Sequence, residues 1–310
     1  MGGSRSKPNN ECVETIMNMS KSRNFAGPFL FILPAIAIYT VFVVFPFFSN
    51  IHISLTDWTG MEKTYNYIGF INFIKAFRIT LLSKSIFYKV IFTIGNVFGA
   101  SVLGMFLALA LDQPLKTKGF MKSIFFIPCI LSTTVVGTLW GYMYSYDGII
   151  NAVLTRFGLD SLVYDWLGDD KIALFMMLIT QYWQWLGFCA VIYIANLQVI
   201  PQDLYEAAKI DGANALQGFR HITLPMLIPG ITINTITSFV GGLRTFDLVF
   251  VLTRGGPGYS TSTIGYAIYN LGFENQQMAV GCALSLILLV ITFIVSIIQL
   301  RFFKSKEIEQ

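Results

Sequence analysis

The sequence predicts an all-α membrane protein with six transmembrane helices. Three observations carry that expectation. Hydrophobic residues make up 55% of the 310 and charged residues only 12%; soluble domains carry roughly 25% charge. Six apolar stretches reach the length of about 20 residues that a helix needs to cross the hydrocarbon core. The chain is rich in aromatic residues, with 28 Phe, and the interiors of the stretches hold almost no carboxylates, Asp247 being the exception near one end.

Residues 1–24 are polar and read as a cytoplasmic tail. One transmembrane domain is expected over 25–303, with spans at about 26–50, 86–111, 120–144, 172–196, 226–252 and 277–303, and a second short tail at 304–310. The first stretch is too long for the apolar core of a signal peptide and has no small-x-small cleavage site behind it, so it reads as a retained helix. Pro34, Pro46, Pro128, Gly241 and Gly242 fall inside spans. Membrane helices tolerate them because neighbouring groups or water satisfy the freed backbone. The greater share of the 21 lysines and arginines falls in segments that share a side with the N-terminus, which supports an N-in, C-in layout. That layout puts the polar segment 201–225, between spans four and five, in the cytoplasm.

The outer segments differ from one another. Residues 51–85 carry Trp58, Tyr65, Tyr67 and an amphipathic patch from Phe70 to Phe77. In 145–170, Leu154 to Leu167 is expected as a helix lying on the outer surface. Gly255-Gly256-Pro257-Gly258 is a tight turn by composition. The cysteines Cys12, Cys129, Cys189 and Cys282 are far apart and form no CxxC, zinc spacing or disulfide framework, so no metal site is expected. The net charge of +4 is spread along the chain. It suits loops beside lipid and argues against a nucleic-acid face.

The segment 201–225 holds the most informative pattern. Asp203 and Glu206 are spaced as a capping box, Gly212 is placed to end the resulting helix, and Ala213 to Ile222 is expected as a second short helix. Ala207, Ala208, Gly212 and Ala213 give this surface almost no side-chain bulk, so another protein can pack close to its backbone. On the residues alone, Glu206 is equally readable as a simple helix cap.

The full pattern, E-A-A-x3-G-x9-I-x-L-P from Glu206 to Pro225, resembles the EAA loop of permease subunits of ATP-binding-cassette (ABC) importers. Other stretches resemble the carbohydrate branch of that family, which includes the maltose and glycerol-phosphate systems. They are Phe29-Leu30-Phe31-Ile32-Leu33-Pro34, Phe125-Phe126-Ile127-Pro128, Ala195 to Pro201, Phe246-Asp247 and Leu252 to Gly258. The resemblance implies the type I ABC importer permease fold with a cytoplasmic coupling helix. It implies Glu206, Ala207, Ala208, Asp211, Gly212 and Ala213 as the residues that couple to an ATPase. It also implies a second homologous permease subunit, two copies of a cytoplasmic ATPase that uses ATP and Mg, and an extracytoplasmic solute-binding protein delivering a sugar. The setting would be a bacterial or archaeal cell membrane. No G-x4-G-K-[ST] occurs in the chain, so no phosphate-cradling loop of that type is present. The chain is expected to bind no cofactor, to hold no catalytic residue and to be a transporter subunit.

Sugars are held by aromatic faces and by fixed polar groups. Span four offers Gln181, Trp183, Gln184, Trp185 and Phe188; span five offers Asn234, Thr237, Ser238, Arg244, Thr245 and Asp247. Thr93, Asn96 and Ser132 to Thr134 are further candidates to line the same path. Each also has a structural reading: the aromatics as helix packing or an interfacial belt, Arg244 and Asp247 as a mutual i,i+3 ion pair. Two other transport classes compete. One is an ABC permease for a non-sugar solute. The other is an ion-coupled carrier, which the scarcity of membrane-buried carboxylates disfavours.

Overall fold

The computed structural model describes residues 26–81, 86–113 and 116–304; the expected tail 1–24 lies outside them, as does the expected tail 304–310 except Lys304, which ends the last helix. Within the described residues every regular element is helical, and the sole β-pairing is an isolated bridge between Thr56 and Tyr67. The chain divides into two compact units, Met1–His52 and Ile53–Gln310.

The described residues of the first unit form one long apolar helix. Helix α1 (Ala26–Tyr39) runs through a π-helical turn, Thr40–Val44, into α2 (Phe45–Ser54). Pro46 explains the wide turn. It has no N–H to give the carbonyl four residues back, and its ring crowds that carbonyl. The helix responds by widening to π geometry, with the Phe45 N–H reaching back to Thr40 O.

The second unit opens with a polar loop and α3 (Ile71–Ala76). Buried Asn72 on α3 donates to Ser54 O at 2.9 Å and Thr56 O at 2.6 Å, which fixes the loop's start. Three expected spans stand as unbroken helices: α4 (Ile86–Asp112), α8 (Asp170–Leu197) and α15 (Met278–Lys304). Helices α4 and α8 pack along their lengths on small residues. The Tyr182 hydroxyl donates to Gly95 O at 2.5 Å, and a Cβ on Gly104 would come within 2.8 Å of Cys189 Cβ.

Two expected spans are not continuous. The stretch expected at 120–144 is α5 (Lys118–Ile130) and α6 (Thr133–Tyr144), and the chain turns through 99° between Lys118–Ile130 and Thr133–Arg156. Leu131 and Ser132 are extended at the break. The 226–252 stretch begins as α12 (Ile228–Arg244) and ends at Thr245; residues 247–252 form a separate α13. Thr245 and Phe246 leave helical geometry, with ψ of 116° and φ of −120° respectively. Four helices are long and apolar enough to cross a bilayer, or up to six if each bent pair forms one span.

The helix expected on the outer surface lies earlier in the chain, as α7 (Ile149–Arg156) rather than from Leu154 to Leu167. Gly158, at φ +73°, stops it, and a short 3-10 turn follows at Asp160–Leu162. Asn151 secures the hairpin, donating to Tyr146 O and Tyr164 O while Trp166 Nε1 donates to its side-chain oxygen at 2.8 Å.

The remaining elements are the π-helical turns Phe77–Leu81, Phe219–Thr223 and Asn270–Glu274, with α9 (Gln202–Ile210), α10 (Ala215–Gly218), α11 (Leu224–Met226) and α14 (Ile264–Tyr269). One core cluster joins Phe92, Tyr144, Met177 and Leu248 across α4, α6, α8 and α13. A second joins α3, α12, α14 and α15 through Ala76, Leu243, Ile264 and Leu284. A third gathers around Leu111, Tyr193 and Leu227.

Candidate functional site: a cavity and an exposed loop helix on one continuous segment

Helix α9 presents the Glu206 pattern. Pro201 precedes it, and no side chain caps its start. The expected capping box of Asp203 and Glu206 is therefore not formed, because the helix starts at Gln202 and Asp203 already lies in its first turn. A capping box does form one element later. Gln217 N donates to Asn214 Oδ1 at 2.9 Å and Asn214 N donates to Gln217 Oε1 at 2.8 Å. The end of α9 is as expected. Gly212 takes φ +79°, its N–H donates to Lys209 O, and Ala213 N donates to Ala208 O, a Schellman closure. Glu206, Ala207, Asp211 and Gly212 are exposed, and Ala208 and Ala213 are half-buried. Ile210 and Leu216 stand 86% and 74% exposed on the same segment. Ala208, Asp211, Gly212 and Ala213 also edge a surface hollow with His221 and Ile222.

The second place is a cavity of about 620 Å³ between α4, α8, α12 and α13, within the usual size range for solute pockets. Of the candidates, Gln181, Trp185, Phe188, Ser238, Arg244, Thr245 and Asp247 line it together, with Asn96, Thr133 and Thr237. Gln181, Trp185 and Phe188 follow helical spacing, so α8 turns one face to the cavity. The Trp185 and Phe188 rings meet edge to face, centroids 6.1 Å apart. Asn96 Nδ2 on α4 donates to Ser238 O at 2.7 Å and ties the facing wall of α12.

Gln184 does not line the cavity. Its side chain is 1% exposed, and its Nε2 donates to Leu131 O at 3.1 Å and Thr133 Oγ1 at 3.2 Å. It satisfies the backbone carbonyl freed by the break between α5 and α6. Trp183 also turns away and meets Trp140 edge to face at 5.7 Å. Asn234 is buried and donates to Cys189 O at 3.1 Å. Thr93 donates to Lys89 O within α4. Arg244 and Asp247 do not form the i,i+3 pair; among the described residues the one ion pair is Lys118 with Asp112 at 3.2 Å.

The break that separates those two charges is held from several sides. Thr245 N and Thr245 Oγ1 both donate to Gly241 O, at 2.8 and 2.7 Å. Thr263 Oγ1 donates to Thr245 O. Gly265 lets its segment approach so closely that a Cβ there would lie 2.5 Å from Arg244 O. Sequence reasoning missed the cavity's apolar wall of Ala100, Val240, Phe246 and Leu248, since apolar residues in an apolar chain carry no individual signal.

The two places belong to one stretch of chain. From α9 it passes through the π-helical turn, where the Tyr205 and Thr223 hydroxyls meet at 2.9 Å. It then bends through 63° between Ala215–Met226 and Ile228–Arg244 and becomes the α12 wall of the cavity. Fully buried Leu227 sits at the bend.

The profile described as "binding-protein-dependent transport system inner membrane component" matches residues 100–307. The chain is 33% identical over 291 residues to the probable ABC transporter permease protein YurN of Bacillus subtilis, covering 92% of this chain and 98% of that one. It is 32% identical over 292 residues to the multiple sugar-binding transport system permease protein MsmF of Streptococcus mutans, covering 94% and 100%. Among solved structures it is similar to a bacterial ABC transporter involved in the import of the acidic polysaccharide alginate, with a TM-score of 0.75 at 21% identity over 93% of this chain and 99% of that one.

Proposed function

The chain belongs to the binding-protein-dependent transport system inner-membrane components, the permeases of ABC transporters, and on that premise we propose that it is the permease subunit of a sugar importer. It is a multi-pass cell-membrane protein of the transport class. In the proposed assembly it pairs with a second, unlike permease. Two copies of a separate ATPase dock on the cytoplasmic side and carry ATP and Mg, and a solute-binding protein delivers sugar from outside. The chain crosses the membrane six times, each bent helix pair serving as one span, with both termini inside.

The observation that carries this reading is the continuity of α9, the bend at Leu227 and the α12 wall of the cavity. A partner that moves the exposed α9 surface moves that wall with it, because short hydrogen-bonded elements transmit displacement better than they absorb it. Glu206, Ala207, Ala208, Asp211, Gly212 and Ala213 form the contact. Gln181, Trp185, Phe188, Ser238, Arg244, Thr245 and Asp247 line the path. The S. mutans relative is named for multiple-sugar transport and the structural relative for alginate import, which supports a saccharide substrate.

The test is Glu206→Lys in the assembled complex. The variant inserts normally but loses ATPase docking and sugar uptake, because a charge of the wrong sign now faces the partner. Uptake at the unmodified rate removes Glu206 from the coupling role.

A further inference from the structure

Resting on the sugar reading of the cavity, we propose that Arg244 and Asp247 are its specificity residues, selecting an uncharged polyhydroxylated solute and rejecting acidic counterparts. Both residues line the same cavity, and among the described residues no other charged one does. Arg244 ends α12 and Asp247 begins α13. In an unbroken helix, three residues apart, they would pair. The break at Thr245 and Phe246 prevents it, and no Arg244 nitrogen lies within 4.0 Å of an Asp247 oxygen. The separation is built in: Gly241 O, Thr263 and the close approach of Gly265 all fix the intervening backbone.

The cavity thus presents a donor and an acceptor that do not satisfy each other. A guanidinium only donates and a carboxylate only accepts. A hydroxyl does both, so a sugar with neighbouring hydroxyls meets both groups at once. A uronate meets Arg244 and sets a second negative charge against Asp247, a juxtaposition that costs binding. An ammonium sugar meets Asp247 and opposes Arg244. The remaining wall is neutral: Gln181, Thr237 and Ser238 offer hydrogen bonds, and Trp185 and Phe188 offer faces for the C–H side of a pyranose ring.

The test uses the purified complex of this chain with its partner subunits. Trp185 lies in the cavity, so sugar binding is read as the part of the fluorescence change that Trp185→Phe abolishes. Maltose, lactose and cellobiose are titrated against digalacturonate. At least one neutral disaccharide binds, and digalacturonate binds about tenfold more weakly or worse. Asp247→Asn closes most of that gap. Arg244→Gln weakens the neutral sugar about tenfold, and neither variant changes the melting temperature, since no ion pair is lost. The charge-swapped Arg244→Asp, Asp247→Arg double variant stays impaired.

Wild-type binding of digalacturonate as tight as the neutral sugars overturns the proposal. So does an unchanged gap in Asp247→Asn, or full recovery in the swapped variant, which marks a direct ion pair instead. Sugar uptake without any Trp185 response sinks the pair's role alone. No binding and no ATP-dependent uptake of any sugar sinks the importer reading, and the pair's role with it.

Discussion

Gln184 and Trp185 are adjacent on α8 and do different work. Gln184 is fully buried and its amide satisfies Leu131 O, so Gln184→Leu strips a backbone carbonyl of its partner. That loss costs about 1–2 kcal/mol and lowers the melting temperature of the detergent-solubilised complex, while the KM of the surviving transporter stays put. Trp185→Ala does the reverse: it removes an aromatic wall, raises KM for sugar roughly fivefold and leaves melting nearly unchanged. If both variants move the same quantity, the cavity boundary drawn between them is wrong. Both residues look alike in sequence, polar or aromatic at membrane depth, and their division was not legible there. It is set by the 99° turn between α5 and α6, a tertiary feature that the continuous apolar run from 120 to 144 conceals. Gly187 shows packing at the same scale. A Cβ there would sit 2.0 Å from Phe125 O, so Gly187→Ala forces α5 off α8 and destabilises by about 1–3 kcal/mol, measurable by thermal unfolding.

Elements differ in how plainly the sequence announces them. Helices α4, α8 and α15 are legible because long apolar runs without internal proline have one low-energy solution in lipid. The end of α9 is legible because Gly212 adopts φ +79°, which costs a β-branched residue about 1–2 kcal/mol. Gly212→Val therefore frays the coupling segment and lowers sugar-stimulated ATPase activity in the complex; unaltered stimulation would detach the Schellman turn from coupling. The start of α9 is misleading, since Pro201 supplies the boundary that Asp203 imitates, while the same capping signature three residues apart in Asn214 and Gln217 is the one realised. The break after Arg244 is invisible in hydropathy because its fastening, Thr263 and Gly265, lies far along the chain. The loop between α2 and α3 carries a pH dependence. Asn66 donates to Asp57 through its backbone N–H at 2.6 Å and its side chain at 3.0 Å, and these bonds, the backbone one first, hold the Asp57 carboxyl below its ordinary value. The loop's added order is present above the ordinary value and fades as pH falls through the lowered one. Hydrogen exchange at the Asn66 amide accelerates over that acid range, and Asp57→Asn removes the dependence. An amide indifferent to pH in the wild type would contradict it.

At the scale of the whole molecule, the family and its saccharide branch were legible because the Glu206 pattern fixes residue types at set distances over two short helices. The cavity was legible in part. Polar residues at membrane depth stand out, and most converge, but their convergence depends on helix breaks that only the fold reveals. The six-span, N-in layout predicts that a membrane-impermeant maleimide labels Glu206→Cys, in a chain otherwise free of cysteine, from the cytoplasmic side alone; labelling from outside inverts the topology. The most direct measurement on the importer itself is reconstitution. The chain is tagged, purified gently with whatever accompanies it, and placed in proteoliposomes with its solute-binding protein. A second permease and an ATPase come with it, and sugar enters only when ATP is present and Glu206 is intact. A chain that purifies alone and moves sugar without ATP is a carrier, and contradicts the coupling of α9 to the cavity wall.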